Sequence, residues 1–323
     1  METKIKKIAF VVSMFPVISE TWLINQVANL MDHGIEVEIF SFRKGQASNI
    51  SQRFYDYSMA SRTHYLQTPR NFVKRFLLVI PKLLHLALVK PGSLYSVLNF
   101  KKYGQAAWSL RLLFWVEPFV GKKFDLVHCH FGLAADDFLD VKEILGSKQK
   151  IVTTFYGLDV SKVFNDYPGE DVYKRLKKES SAFIVMSDYM KKRIMAQGFD
   201  EKKIHILPIF GIDVNDYPFK ERTIEPNEVV RMVTVGRFVE KKGYDDLLRA
   251  VAIVKEKTNK KFMCNIIGGG ALESKLHTMT KELGIEDVVS YKGYMKIDDI
   301  IKYFLNMHLY LQPSKIASNG DQE

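Results

Sequence analysis

A chain of 323 residues, 47% hydrophobic and 26% charged, has the length of about two domains and enough apolar content to build a core in each. Its two cysteines, Cys129 and Cys264, support neither a disulfide framework nor a cysteine metal site, and they fit a reducing cytosol. The net charge of +10 is concentrated between Pro69 and Lys123, where ten Lys and Arg residues stand against Glu117 alone.

The basic start followed by Ile8 to Val12 is too short, and lacks the small-residue cleavage site, for a signal peptide, so it reads as a buried strand. Strand-length apolar runs then alternate with segments of helical period, the pattern of a parallel sheet. Strands are predicted near Ile5 to Ser13, Glu36 to Phe42, Asp125 to Cys129, Ile151 to Thr154, Ala182 to Met186 and Ile204 to Ile206. A helix from Glu20 to His33 ends at Gly34, and Ser187 or Asp188 caps another that runs to Gln197 before Gly198.

The basic stretch between Pro69 and Lys123 interleaves its charges with Phe76, Leu77, Ile80, Leu84, Trp108 and Trp115. Apolar bulk beside basic residues suits an anionic membrane surface better than nucleic acid. Pro81, Lys82 and His85 break the longest apolar run, which excludes a spanning helix. The competing reading is a set of core helices with solvated basic faces.

Pro208, Gly211, Asp213, Pro218 and Pro226 punctuate a connection from 208 to 228, read as an interdomain hinge. A second series follows, with strands at Val229 to Val235, Phe262 to Ile267, Val288 to Tyr291 and Leu309 to Leu311. Its helices are at Tyr244 to Lys255, Leu272 to Leu283 and near Asp298 to Leu305. The reading is α/β: two Rossmann-like doubly wound domains, residues 1–207 with the insertion 69–123 and residues 229–323, the second short of sheet partners and read as truncated.

Gly236 to Gly243 leaves a buried strand and opens a helix, where open parallel sheets bind ligands and a helix start favours phosphate. Arg237 and Lys242 add two cations suited to a diphosphate, against the alternative of a solvated basic turn. Gly268, Gly269 and Gly270 repeat the arrangement one unit later, as a phosphate or ribose contact or as a plain turn. In the first half, Ser19, Glu20 and Thr21 follow the first strand, and Ser19 is either a helix cap or part of the site. His128 and His130 end a strand, one expected to point inward and the other towards the cleft; without a third ligand they make a poor metal site. Tyr156 and Asp159, in the glycine turn after Thr154, are expected to project at the same edge. A nucleophile elbow, P-loop and zinc signature are all missing, which counts against hydrolase, ATPase and metalloenzyme readings.

Taken in order, Phe15 to Thr21, His128 to Gly132, Thr153 to Asp159, Pro208 to Asp213, Gly236 to Gly243, Ile266 to Leu276, Tyr291 to Tyr294, and Leu311 to Ser314 through Asp321 to Glu323 resemble motifs of glycosyltransferase family 4. The likeness is strongest to bacterial exopolysaccharide and colanic-acid type members, and it spans the chain. It implies the GT-B fold, with two domains facing a cleft and a metal-free reaction in which a nucleotide-diphosphate sugar is a substrate and no cofactor is held.

By position, the resemblance puts Arg237 and Lys242 on the donor diphosphate. It lays Gly236, Gly268 to Gly270, Tyr294 and Ser314 along the nucleotide, brings Glu323 to the donor sugar, and leaves Ser19, Glu20, Thr21, His130 and Asp159 on the acceptor side. Tyr156 stands where many relatives carry histidine, which makes it an orienting group in place of a titrating one. The implied activity is retaining transfer to a lipid-linked or polysaccharide acceptor, at the inner face of the cytoplasmic membrane. The alternatives are a non-catalytic, membrane-associated subunit and, more remotely, a sugar-nucleotide epimerase of the same fold.

Overall fold

The computed structural model describes residues 5–46, 48–167, 169–208 and 214–321. The first domain is a seven-stranded, all-parallel sheet in the order β3-β2-β1-β4-β5-β6-β7. Its strands are β1 (Lys7–Phe15), β2 (Glu36–Lys44), β3 (Thr63–Tyr65), β4 (Leu126–His130), β5 (Ile151–Thr154), β6 (Ala182–Val185) and β7 (Ile204–Ile206). Between them run α1 (Thr21–Asp32), α2 (Gln52–Asp56), α3 (Phe72–Val89), α4 (Pro91–Val97), α5 (Phe100–Tyr103), α6 (Gln105–Trp108) and α7 (Arg111–Val116), followed by α8 (Gly132–Ile144), α9 (Lys162–Asp166), α10 (Lys174–Glu179) and α11 (Asp188–Ala196).

The second domain repeats the plan on a smaller scale, with β8 (Val230–Val235), β9 (Phe262–Ile267), β10 (Val289–Gly293) and β11 (Leu309–Tyr310) in the parallel order β10-β9-β8-β11. Helices α12 (Tyr244–Lys257), α13 (Glu273–Glu282) and α14 (Ile297–Phe304) cover it. Both sheets therefore reverse their winding beside their first strand, between β1 and β4 and between β8 and β11. At such a switch point neighbouring loops diverge to opposite faces and leave a crevice beyond the carboxyl ends of the strands.

Alternation along β1 shows why the sheet is buried on both sides. Ile8, Phe10 and Val12 pack with Leu23, Ile24 and Val27 of α1, while Ala9 and Val11 face the core built with α7 and α8. In the second domain α12 and α13 close one face through Leu248, Val251 and Leu276, and α14 closes the other through Ile300. The local signals at helix ends also hold. The Ser187 hydroxyl accepts from the Met190 N–H, and Gly34 and Gly198 take positive φ after their helices.

The structure departs from the sequence reading in three places. Thr63–Tyr65 forms an edge strand that its polar, three-residue sequence did not signal. The polar segment before β6 carries two short helices, α9 and α10. The insertion 69–123 divides between the two readings given for it. Leu112 to Val116 of α7 are buried in the main core, whereas α3 touches the body chiefly through Val79 and Leu86, seven residues apart. Helix α3 turns Phe72 (76% exposed), Phe76, Leu77 (65%), Ile80, Leu84 and Leu88 (83%) to solvent. Among the described residues no helix is long and apolar enough to cross a membrane.

Candidate active site

The two switch points face each other across a cleft of about 660 Å³. Its first wall is built from Ser19, Glu20, Thr21 and Trp22 after β1, Phe131 after β4, and Tyr156 after β5. The opposite wall comes from Gly236, Arg237, Lys241 and Lys242 after β8, Gly268 after β9 and Tyr294 after β10. The walls differ in chemistry: the first is aromatic with one carboxyl, the second cationic with bare backbone.

On the second wall, close packing of loop on loop requires glycine at two points. A Cβ on Gly268, at φ +136°, would lie 2.0 Å from the Gly236 carbonyl oxygen, and one on Gly243, at φ +65°, would lie 1.9 Å from that of Pro313. The turn Gly236–Gly243 is thereby wedged between the β9 loop and the Pro313–Ser314 loop. Lys242 folds its side chain over Gly236, Lys241 pairs with Asp321 at 3.1 Å, and Arg237 is exposed in the cleft. Tyr294 packs its ring over Gly269.

On the first wall, the N-terminal residue flanking α1 is Glu20, and no side chain caps that end. Ser19 is thus a cleft residue and not a cap. Burial pushes the Glu20 carboxyl up to about 7, with the attraction of Arg237 across the cleft opposing that shift. Tyr156 shares a 2.7 Å hydrogen bond with His130 Nδ1 through its hydroxyl, and its ring lies 4.2 Å from Trp22 and 4.8 Å from Phe131. Burial pushes the Tyr156 hydroxyl far above its ordinary value.

Two placements made from the sequence need correction. His130 is fully buried and Asp159 is 1% exposed, so neither lines the cleft. Residues two apart on a strand share a face, so His128 and His130 lie against each other, ring centroids 4.2 Å apart and tilted by 31°, beneath the first wall. Burial and the neighbouring His128 hold His130 well below its ordinary pKa, and burial brings His128 to about 4, so both are neutral at physiological pH. Asp159 turns inward because three backbone N–H groups converge on it: Gly132 donates to one oxygen, Tyr156 and Gly157 to the other. It clamps the β5 turn to the start of α8.

Gly269, Gly270 and Ser314 are not part of the cleft lining; the Ser314 hydroxyl accepts from Gln312. Glu323 lies outside the described residues, as do Gly211 and Asp213 of the connection. The sequence reading did not pick out Trp22, Phe131, Leu158 or Met186, all of which line the cleft. Trp22 follows Thr21 directly, but only the sheet order β1-β4-β5 shows that it meets Tyr156. Among the described residues no group of three His, Cys, Asp or Glu is placed to hold a metal ion.

Two parallel Rossmann-like domains with opposed switch points define the GT-B class of glycosyltransferase fold. Solved structures of that shape include Anabaena HepE in complex with UDP and glucose, with TM-score 0.60 at 15% identity over 96% of this chain and 74% of that one. A point mutant of S. aureus TarM, solved in a complex that includes UDP, superposes with TM-score 0.60 at 13% identity over 96% of this chain and 81% of its own.

The chain belongs to Glycosyltransferase Family 4, whose profile matches residues 19–215, and Glycosyl transferases group 1 matches residues 217–320. It is 30% identical to the amylovoran biosynthesis glycosyltransferase AmsK of Erwinia amylovora and 29% identical to the putative colanic acid biosynthesis glycosyltransferase WcaL of Escherichia coli K12. Each match takes in 98% of this chain and 77% of the relative.

Proposed function

We propose that this glycosyltransferase moves a sugar, with retention, from a nucleotide-diphosphate donor to a lipid-linked or polysaccharide acceptor in the making of a cell-surface glycan. The observation that carries the reading is the cleft in which Arg237 and Lys242 face Glu20 and Trp22 from the opposite domain. In the proposed reaction the acceptor oxygen bonds to the anomeric carbon as the bond to the diphosphate breaks on the same face. The acceptor proton passes to the departing diphosphate. Arg237 and Lys242 take up the charge that develops there, a role that preorganised cations fill without a resident metal. UDP and GDP sugars both suit this wall, with Tyr294 beside the nucleotide.

The domains are proposed to span residues 1–207 and 229–323 and to close about residues 208–228, excluding water from the activated sugar. That connection is tied to both sides: Asp216 pairs with Arg53 of α2, and the Arg222 guanidinium donates to the carbonyls of Phe304 and Leu305 after α14. We further propose that α3, with the exposed Arg70 just before it and Lys74 in its first turn, rests on the anionic inner leaflet of the cytoplasmic membrane, where lipid-linked acceptors present their saccharides.

The test is titration of UDP and GDP by calorimetry against the wild type, Arg237→Ala and Lys242→Ala. Saturable binding of one nucleotide, weakened at least tenfold in each variant, is the expected outcome. Binding that both variants leave unchanged removes the donor site from this wall.

A further inference from the structure

The first wall of the cleft has a composition that the transferase reading leaves unexplained. Trp22 lines it, its ring 4.2 Å from that of Tyr156 and tilted 32° to it, and the Tyr156 hydroxyl is engaged by His130 beneath the wall. What this region offers a ligand is therefore an aromatic surface. Directly beside it, two residues earlier in the chain, stands the half-buried Glu20, whose carboxyl accepts no hydrogen bond among the described residues. An acceptor on a cleft wall that no protein donor occupies is open to the hydroxyl groups a ligand brings.

A flat aromatic ring next to an unsatisfied carboxyl is a poor match for a phosphate, which the carboxylate repels, and for a prenyl chain, which leaves the carboxyl unpaired. It matches a pyranose, whose axial C–H groups form an apolar face and whose hydroxyls ring its edge. We propose that Trp22 and Glu20 form a saccharide subsite in which the indole stacks on the apolar face of an acceptor sugar ring and the Glu20 carboxyl accepts from its hydroxyls. This inference rests on the transferase reading and narrows it: the acceptor presents a sugar ring at the cleft, and a bare prenyl phosphate is not accepted. Tyr156 serves as a positioning residue, held by His130 and in turn fixing the indole plane.

The experiment is ¹⁹F NMR of the 323-residue chain labelled with 5-fluorotryptophan. The chain has three tryptophans, and the Trp22 resonance is assigned by its loss in Trp22→Phe. Methyl glucoside, methyl galactoside, methyl mannoside and lactose are titrated as saccharides, geranyl phosphate as the ring-free control, and UDP as the donor probe. The expected result is a saturable shift of the Trp22 resonance by at least one saccharide and none by geranyl phosphate. In Glu20→Ala, with its thermal melt checked, the same resonance should report binding at least tenfold weaker. A Trp22 resonance that ignores every saccharide while UDP still binds overturns the subsite and leaves the transferase reading standing. Response to geranyl phosphate alone reassigns the wall to a lipid. If neither UDP nor any saccharide binds, both fall together.

Discussion

Glu20 of the first domain and Arg237 of the second line opposite walls of one cleft, two residues 217 positions apart whose juxtaposition no local motif expresses. It gives the site a pH dependence with a definite sign. Because burial raises the Glu20 carboxyl to about 7, that residue is largely neutral at pH 6 and ionised at pH 8, where it competes with a diphosphate for Arg237 and repels it. UDP binding to the wild type, compared with Glu20→Gln at each pH, should be close to equal at pH 6 and several-fold weaker at pH 8. Referring each value to the variant cancels the ionisation of UDP itself, and a ratio that stays flat between pH 6 and 8 would contradict the assignment.

The same carboxyl affects stability in the opposite sense to a salt-bridged acid. With its folded pKa above the unfolded value, Glu20 costs nothing below pH 4.5, becomes progressively unfavourable between pH 4.5 and about 7, and carries its full cost above that. Replacing it with glutamine should therefore raise the melting temperature at pH 8 more than at pH 5, as read by paired thermal melts.

Asp159 is assigned to holding the fold. One buried and two part-buried N–H groups lose their acceptor in Asp159→Ala, so the variant should lose about 2–3 kcal/mol of stability in a denaturant titration. At a temperature where the variant remains folded, its UDP affinity should match the wild type, since Asp159 lies outside the cleft lining.

Gly268→Ala should be among the most damaging single-methyl additions in the second domain. The new methyl meets a backbone carbonyl at 2.0 Å on a residue that already holds φ +136°, a combination worth about 3 kcal/mol or more. Both the unfolding midpoint and UDP affinity should drop, because the Gly236 turn must move to make room.

The exposed face of α3 gives the clearest separation of binding from folding. Phe76→Glu with Leu77→Glu changes only solvent-facing positions, so stability should stay within about 0.5 kcal/mol of the wild type while co-sedimentation with anionic vesicles falls at least tenfold. Leu86→Glu, at a buried contact of the same helix, should instead unfold the insertion. Retained vesicle binding by the double variant would remove α3 as the docking face.

Short-range periodicity was enough to place every strand except β3, together with α1 and α11 to α14, whereas α2, β3, α9 and α10 carried no such signal. Continuous apolar runs marked β1, β5 and β9 to within two residues, and capping signals marked the ends of α1 and α11. The sequence by itself also located the ligand-bearing turns, because glycine after a strand reports a backbone that must bend or approach closely. The tertiary structure alone decided which side chains in those turns meet the cleft. His130 and Asp159 sit in the right loops and face inward, one by strand parity and the other through converging N–H groups, whereas Trp22 reaches the wall through pairing across the sheet. The same holds for the insertion, where α3 and α7 have similar composition and differ only in how much of each the core can cover. Burial and facing are set by contacts between residues far apart in the chain, which local periodicity does not encode.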